Sequence, residues 1–439
     1  MNNFRIIFIL FFIYISTIFI TVNISRLVFT SYHRAENIFG EAITYSIYEL
    51  SEFGKSLYAF FNTPEYFIVN DESKNFLELT DTINIDSKIL YSYKQSRNRD
   101  IIELVDLNNN SIIKSWMPDS KVIDQLSFNT KNRRTFKPGQ DLNLYHTILI
   151  ENDSSVVLNS GYSLIKVNSD NSINWVNNEI EFHHSINKIN DSTLVVAGRP
   201  FKSIKLPFME VDYESYSNIY LDDSIYFVNI NNGNVEYSKS VTEILLENNL
   251  IDILLNNGKF SFDQIHLNDI QPVLFDGEYW KKGDLFLSVR DLSLVFLYRP
   301  SSNEIIWYKQ GPWLNQHDVD IINKETVSVF DNNMVMGIRT TNVDTKILDG
   351  YTIEGNNRIY YYNFKNDSLY TMHDDITNNN NIKTYTGGIY DKINDNLYFI
   401  DNQESGILYF FNNEKVLGKF SRRLDSDNIA HLNWPRLYK

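Results

Sequence analysis

Six times along the chain a short strand runs into an Asn/Asp/Gly turn, a second short strand and, as a rule, an aromatic end. The segments are LVDLNNNSIIKSW (104–116), LIKVNSDNSINW (164–175), FVNINNGNVEY (227–237), FLYRPSSNEIIWY (296–308), YYNFKNDSLYTM (361–372) and YFFNNEKVLGKF (409–420). They end at Trp116, Trp175, Tyr237, Trp307, Met372 and Phe420, a period of roughly 50 to 70 residues. Each period has room for four short strands. Hairpins repeated at this spacing are the signature of propeller blades, each burying its faces against its neighbours. The sequence therefore predicts an all-β chain whose residues 86–439 form a six-bladed β-propeller. A large β-sandwich or a pair of β-domains would explain the alternation but not the repeated hairpin and its aromatic end.

Before the repeats the pattern differs. The run from Ile6 to Val22 carries no charge and is followed by a poor cleavage site, TVNISRL. It is read as an uncleaved signal anchor, residues 1–28, crossing a bilayer once. Residues 29–85 are assigned to a helical stalk or cover, because apolar residues recur at helical spacing over 33–62. From about residue 88 the period becomes two. A second helical stretch, VTEILLENNLIDILLNN at 241–257, reads as an insertion able to cover one mouth of a central channel. The charges beside the anchor, Arg5 before and Arg26, His33 and Arg34 after, are too even to orient it.

The formal net charge of −15 argues against a nucleic-acid partner, since phosphate backbones need a cationic surface. The chain has no cysteine, which removes thiol catalysis, disulfides and cysteine-ligated metals. No Gly-rich phosphate loop is present.

The eight histidines carry the chemistry. The first strand of a propeller blade is its innermost, so residues shortly after each hairpin should enter the central channel. His183 and His184 follow Trp175 closely, and His317 follows Trp307. His266 precedes the middle strands of its own period, and Arg290 and Asp291 stand at the turn between those strands. Basic and proton-transferring groups from separate blades thus converge on one axis. The other histidines are read as bland: His146 as a strand residue in LYHTILI, His33 as juxtamembrane, His373 as a loop residue in MHDD, and His431 as a packing residue.

The stretch HLNDIQPV…GDLFLSVRDLSLVFLYRPSSNEIIWYKQGPWLNQHDVDIINKETVSVFDNN resembles the bacterial arylsulfotransferases that use no nucleotide sulfate donor. Their pattern of His-x-Asn, Ser-x-Arg, a strand ending in Trp, Gln-His-Asp and Phe-Asp-Asn occurs here in order. WVNNEIEFHHSINKI upstream and NWPRL downstream are similar to the family as well. The resemblance implies a six-bladed propeller outside the cytoplasm, which agrees with an anchor that holds it on the extracytoplasmic (periplasmic) side of the inner membrane. It also implies that His317 takes up the sulfuryl group, and that His266 and Arg290 bind the sulfate oxygens with Asn268 beside them. One of His183 and His184, with His184 favoured, contacts the sulfate or phenol oxygen; Asp318 joins the substrate-binding set. At one position the chain departs from the pattern: Ser185 stands where the family carries an acid that could orient the imidazole.

These residue types suit sulfuryl transfer. Its transition state is loose, with negative charge on three oxygens; a neutral imidazole is a competent nucleophile; and a guanidinium fork and a histidine donor can hold the sulfonate. The reading predicts ping-pong transfer from an aryl sulfate donor to a phenolic or other hydroxyl acceptor, with no metal and no cofactor. A homodimer is left open. A non-catalytic, membrane-anchored propeller binding an anionic glycan or a protein partner is the alternative. A quinone-cofactor dehydrogenase is disfavoured, since no calcium-binding carboxylate set is found.

Overall fold

The computed structural model describes residues 67–69, 78–79, 85, 87–96, 99–127, 144–160, 163–200, 220–256, 261, 263–336, 351–353, 355–424 and 428–438. All of them belong to one compact unit. Six antiparallel sheets of four strands, the sixth extended by a fifth, form a six-bladed β-propeller. The inner strands of blades 1 to 6 are Asn433–Tyr438, Leu144–Ile150, Glu181–Lys188, Leu267–Pro272, Val319–Asn323 and Tyr390–Asn394. Blade 1 is completed from both ends of the repeat region: Asn433–Tyr438 pairs with Lys88–Ser96, so the last strand closes the ring. Closure removes the exposed sheet edge that an open array would carry.

Each of the six repeated segments is the outer pair of strands of one blade. They run from Arg99–Asp106 with Ser111–Trp116 in blade 1 to Ile407–Phe411 with Val416–Phe420 in blade 6. The aromatic end of each segment reaches the next blade. Trp116 is fully buried in the cluster between blades 1 and 2, and its indole donates to the Ser154 carbonyl. Trp175 donates to Ile230 O at 2.9 Å in blade 3, where Gly233 (φ +74°) leaves room for the ring; a Cβ there would lie 2.6 Å from it. Tyr237 meets Tyr298 of blade 4 through their hydroxyls, and Trp307 packs on Tyr362 of blade 5 at 4.7 Å. Met372 packs against the cluster shared with blade 6, and Phe420 against Tyr91 of blade 1. The repeated residue is thus a wedge between sheets, which is why large apolar side chains recur there.

A second tie repeats on the inner strands. Ser185 Oγ accepts the N–H of Ile270, Asp269 accepts that of Val319, and Asp318 accepts that of Tyr390. Each side chain secures the inner strand of the following blade. Ser185 thus fills an inter-blade position with a neutral acceptor.

The helices Val241–Glu247 and Ile251–Leu254 occur where the sequence predicts them, but they line neither axial cavity. Val241, Ile244 and Leu245 are buried, and Asn248 bonds Asn303 and Ile305 of blade 4. Their apolar face seals the outer seam of blades 3 and 4 rather than a channel mouth. The anchor at 1–28 and the helical pattern at 33–62 lie outside the described residues. Within 29–85 the described pieces include two strands, Phe67–Val69 against Asn428–Ala430 and Glu78–Leu79 against blade 6, rather than a helical stalk. Both are held by pairing to propeller strands that the sequence pattern alone does not show. Among the described residues no helix is long and apolar enough to cross a membrane.

Two outcomes test this packing. Trp116→Ala should lower unfolding stability by about 3–5 kcal/mol in denaturant titrations, through the cavity left between blades 1 and 2. The second concerns the ties. Burial, then the charge of Asp269, raises the Asp318 carboxyl well above its usual range, and burial raises Asp269 as well. A carboxyl with a raised native pKa contributes stability at low pH that is lost as pH rises from the unfolded value of about 3.9 through the native one. Asp318→Asn keeps a neutral acceptor for Tyr390, so its melting temperature relative to wild type should increase from pH 5 to pH 8. A constant difference would remove this account.

Candidate active site

The side chains at the axis are aimed by a repeated backbone break. Near the start of each inner strand stands a residue with positive φ: Trp434 (42°), His146 (51°), His184 (55°), His266 (46°), Asn315 (55°), and Gly387 and Gly388 (93° and 90°) in blades 1 to 6. For bulky residues this region costs on the order of 1–3 kcal/mol and clusters at functional sites. In blades 1 to 3 the sheet register skips at the same point. The skip at Phe182/Ile186 frees 183–185 from strand alternation, so neighbouring rings meet: His183 Nδ1 lies 2.7 Å from His184 Nδ1.

His146, His184, Arg290 and His317 line one cavity of about 170 Å³, with Tyr145, Trp434, Thr386, Gly387, Gln403 and Asn433 completing the wall. The volume is below the roughly 300 Å³ at which sites for drug-sized ligands begin. It suits a small anion, with Trp434 and Tyr145 offering aromatic surface at the wall. The His266 ring lies 5.0 Å from that of His184, just behind the wall.

His317 is 3 % exposed and its tautomer is determined by its neighbours. Nδ1 lies 2.7 Å from Asn332 Oδ1 and 3.1 Å from Asn315 O, both acceptors, so Nδ1 carries the hydrogen. Asn332 cannot present its nitrogen instead, because Nδ2 donates to Thr384 O and Gly387 O, each at 2.8 Å. Gly387 must be glycine: besides its φ, a Cβ there would fall on the Gln403 side chain. Nε2 of His317 is thereby left with its lone pair. Burial, and then the charge of Arg290, hold the ring neutral by lowering its pKa to about 3. The loop itself is clamped by Gln316, whose amide donates to Val289 O and Leu294 O beside the Arg290 turn, and by Trp313.

Arg290 Nε donates to Asp291 at 2.6 Å, which leaves the terminal guanidinium nitrogens without a partner among the described residues. His266 Nδ1 meets Asp263 at 2.7 Å; Arg199 joins Asp263 at 3.0 Å to Asp223, which in turn holds His183 Nε2 at 3.2 Å. Burial, then His183, push the His184 ring well below its ordinary pKa; burial, then Arg436, do the same to His146. One group at metal-binding distance occurs among the described residues, Asp263, His266 and Asp291, with ligand atoms within 4.8 Å of one another. Arg199 and Arg290 already neutralise its two carboxylates, so it is poorly suited to a cation.

A family model described as Arylsulfotransferase (ASST) matches residues 147–420, well over half of the chain. The chain belongs to the arylsulfotransferase family. No curated protein matches it. Among solved structures it is similar to a protein of unknown function from Bacteroides caccae (10 % identity, TM-score 0.46, 80 % of this chain and 98 % of that one). It is similar also to hydrazine synthase of Kuenenia stuttgartiensis (9 %, TM-score 0.41, 79 % and 80 %). At these values the likenesses carry no argument.

Within this arylsulfotransferase-family chain the residues singled out from sequence separate into three groups. His317, Arg290 and His184 line the cavity, and His266 and His183 stand directly behind it. Asn268 does not line it; it is fully buried, and its amide donates to Gln316 O, bracing the His317 loop. Asp318 faces a different cavity and serves as an inter-blade tie. His146, read from sequence as a plain strand residue, lines the cavity against Trp434 at 4.5 Å. Its place on the inner strand of blade 2 was the available signal. Asp223, Asp263 and Asn332 hold the imidazoles and were not assigned roles; only Asn332 lay in a quoted motif, Phe-Asp-Asn. His373 stacks on Tyr398 and His431 lines neither axial cavity, as their bland reading implies. His33 lies outside the described residues.

The tautomer is directly measurable. In histidine-labelled protein the His317 ring should remain neutral and Nδ1-protonated from pH 8 to about pH 4, by ¹⁵N chemical shift; titration near pH 6.5 would contradict the buried geometry.

Proposed function

We propose that the chain moves a sulfuryl group from an aryl sulfate to a hydroxyl acceptor through a sulfurylated His317. The observation that carries this is the bare Nε2 of a neutral, orientation-locked imidazole beside an arginine with free terminal nitrogens. Nε2 attacks sulfur in line with the leaving phenol oxygen. Arg290 neutralises charge growing on the sulfonate oxygens, and the loose transition state asks the protein chiefly for positioning and charge. His184, on the same wall, supplies a proton to the phenolate, and Trp434 and Tyr145 offer aromatic surface to the ring. The S–N bond then breaks under attack by the acceptor hydroxyl. Family membership supports the reaction class; donor, acceptor and ping-pong order are our reading. We also infer that the apolar run Ile6–Val22 anchors the chain and that the propeller works outside the cytoplasm; protease protection of membrane vesicles would test this.

Rapid quench after mixing with p-nitrophenyl [³⁵S]sulfate should trap one labelled group on His317. His317→Ala should abolish phenol release and label alike, and Arg290→Ala should lose about 10²-fold or more in turnover. Tight binding of the donor with neither release nor label would instead favour a non-catalytic anion-binding propeller.

A further inference from the structure

The contact between His183 and His184 is joined to a third group that the transfer reaction does not itself require. His183 Nε2 faces Asp223 Oδ1 at 3.2 Å, and Asp223 is fully buried. The same carboxylate accepts from Arg199 Nε and from the Leu267 backbone N–H. Three groups therefore stand in series from beneath blade 3 to the cavity wall.

We propose, resting on the sulfuryl-transfer reading, that Asp223, His183 and His184 form a proton relay that makes His184 an acid in one half-reaction and a base in the other. Two Nδ1 atoms at 2.7 Å share a single proton, since two hydrogens would clash and two lone pairs would repel. Asp223 keeps a hydrogen on His183 Nε2 throughout. Although burial opposes it, Arg199 and then His183 hold the Asp223 carboxyl well below the usual carboxylate range, so Asp223 stays ionised and the mobile proton resides at Nδ1. With His183 as imidazolium, its Nδ1–H donates to His184 Nδ1, and the hydrogen of neutral His184 sits on Nε2, towards the cavity. With His183 neutral, His184 Nδ1–H donates back and Nε2 is bare.

In the first half-reaction His317 Nε2 bonds to sulfur, the S–O bond to the aryl oxygen breaks, and His184 Nε2–H passes to that oxygen. The His183 Nδ1 proton moves to His184 Nδ1. In the second, the acceptor hydroxyl gives its proton to His184 Nε2 as its oxygen bonds to sulfur and the S–N bond breaks. The Nδ1 proton then returns to His183. The sum is aryl sulfate plus alcohol giving phenol plus alkyl or aryl sulfate, with no proton taken from solvent. His184 changes tautomer and never has to carry charge. Asp223 and His183 are positioning residues; His184 is the group that touches substrate.

The test is the dependence of donor cleavage on leaving-group basicity. Asp223→Asn should leave p-nitrophenyl sulfate within a few-fold of wild type, because that phenolate departs unaided. Unsubstituted phenyl sulfate should lose about 10²-fold or more. His183→Gln, which cuts the series one step later, should give the same steepened slope. Equal losses across the series in both variants would mean that the network is merely structural and overturn the relay. A readout independent of turnover is the ¹⁵N spectrum of resting wild type: His183 protonated on both nitrogens and His184 on Nε2. The reverse tautomer at His184 would reject the relay even in an active enzyme. An inactive wild type with the expected tautomers would reject the transfer reading and leave the wired pair standing.

Discussion

The site exists because the inner strands do not start as strands. An extended chain sends successive side chains to opposite faces, and six such strands around an axis would alternate between lining the channel and packing between blades. The left-handed residue near each start breaks that rule once per blade. At Trp434, His146, His184 and His266 it does so with large side chains that dislike the conformation. The backbone cost of each is offset by what surrounds it: burial of the middle strands of the sheets, the closing pair between Asn433–Tyr438 and Lys88–Ser96, and the ties that link the inner strands of blades 3 to 6. Imidazoles from blades 2, 3 and 5, the Arg290 guanidinium from blade 4 and the indole from blade 1 then face one space, which no single sheet could arrange.

That space is polar in one direction only. Trp434 lines both the histidine cavity and a second one of about 210 Å³, which contains Asp269, Asp318, Asp320 and Asp391 with Arg436 among them. Arg436 reaches over to blade 3, bonding Asn187 Oδ1 and Ile186 O at 2.7 Å each. The indole therefore separates a compartment holding a guanidinium and neutral imidazoles from one dominated by carboxyl groups. Burial raises the pKa of Asp269, Asp318 and Asp320, which lessens their mutual repulsion. The electrostatic environment for an anion thus differs between the two sides of Trp434.

Much of the fold was legible because its rule is local. A strand, a turn and an aromatic end recur within about a dozen residues, and the physical role of that end, wedging into the next blade, is the same every time. The histidines of the axial site were legible through topology: His183, His184 and His317 follow their hairpins by a few residues and so fall at or beside inner strands. His146 escaped because residues 117–143 intervene between the first hairpin and its strand, and because LYHTILI alternates like any half-buried strand. Asp318 was misjudged through adjacency. It follows His317 directly, and once the chain becomes extended, neighbours face opposite ways; one joins the site and the other joins blade 6. Asp223 and Asp263 sit in connections with no periodic signal, and only the folded ring brings them under His183 and His266.

The position of Ser185 shows why the supporting groups had to come from elsewhere. The residues after His184, Asn268 and His317 are occupied by the seam: Ser185, Asp269 and Asp318 all hold the next blade. A side chain bound to that task cannot also orient the ring beside it. The orienting groups are recruited across the fold instead. Asn332 reaches His317 from the end of the neighbouring strand and is itself fixed by blade 6, while Asp223 reaches His183 and the backbone of Leu267 together. His317 and His183 are thus each positioned by a contact that also joins two elements of the ring. Opening either seam would release an imidazole at the axial cavity, and a change that frees that imidazole would loosen a seam, so stability and site geometry are set by the same few bonds.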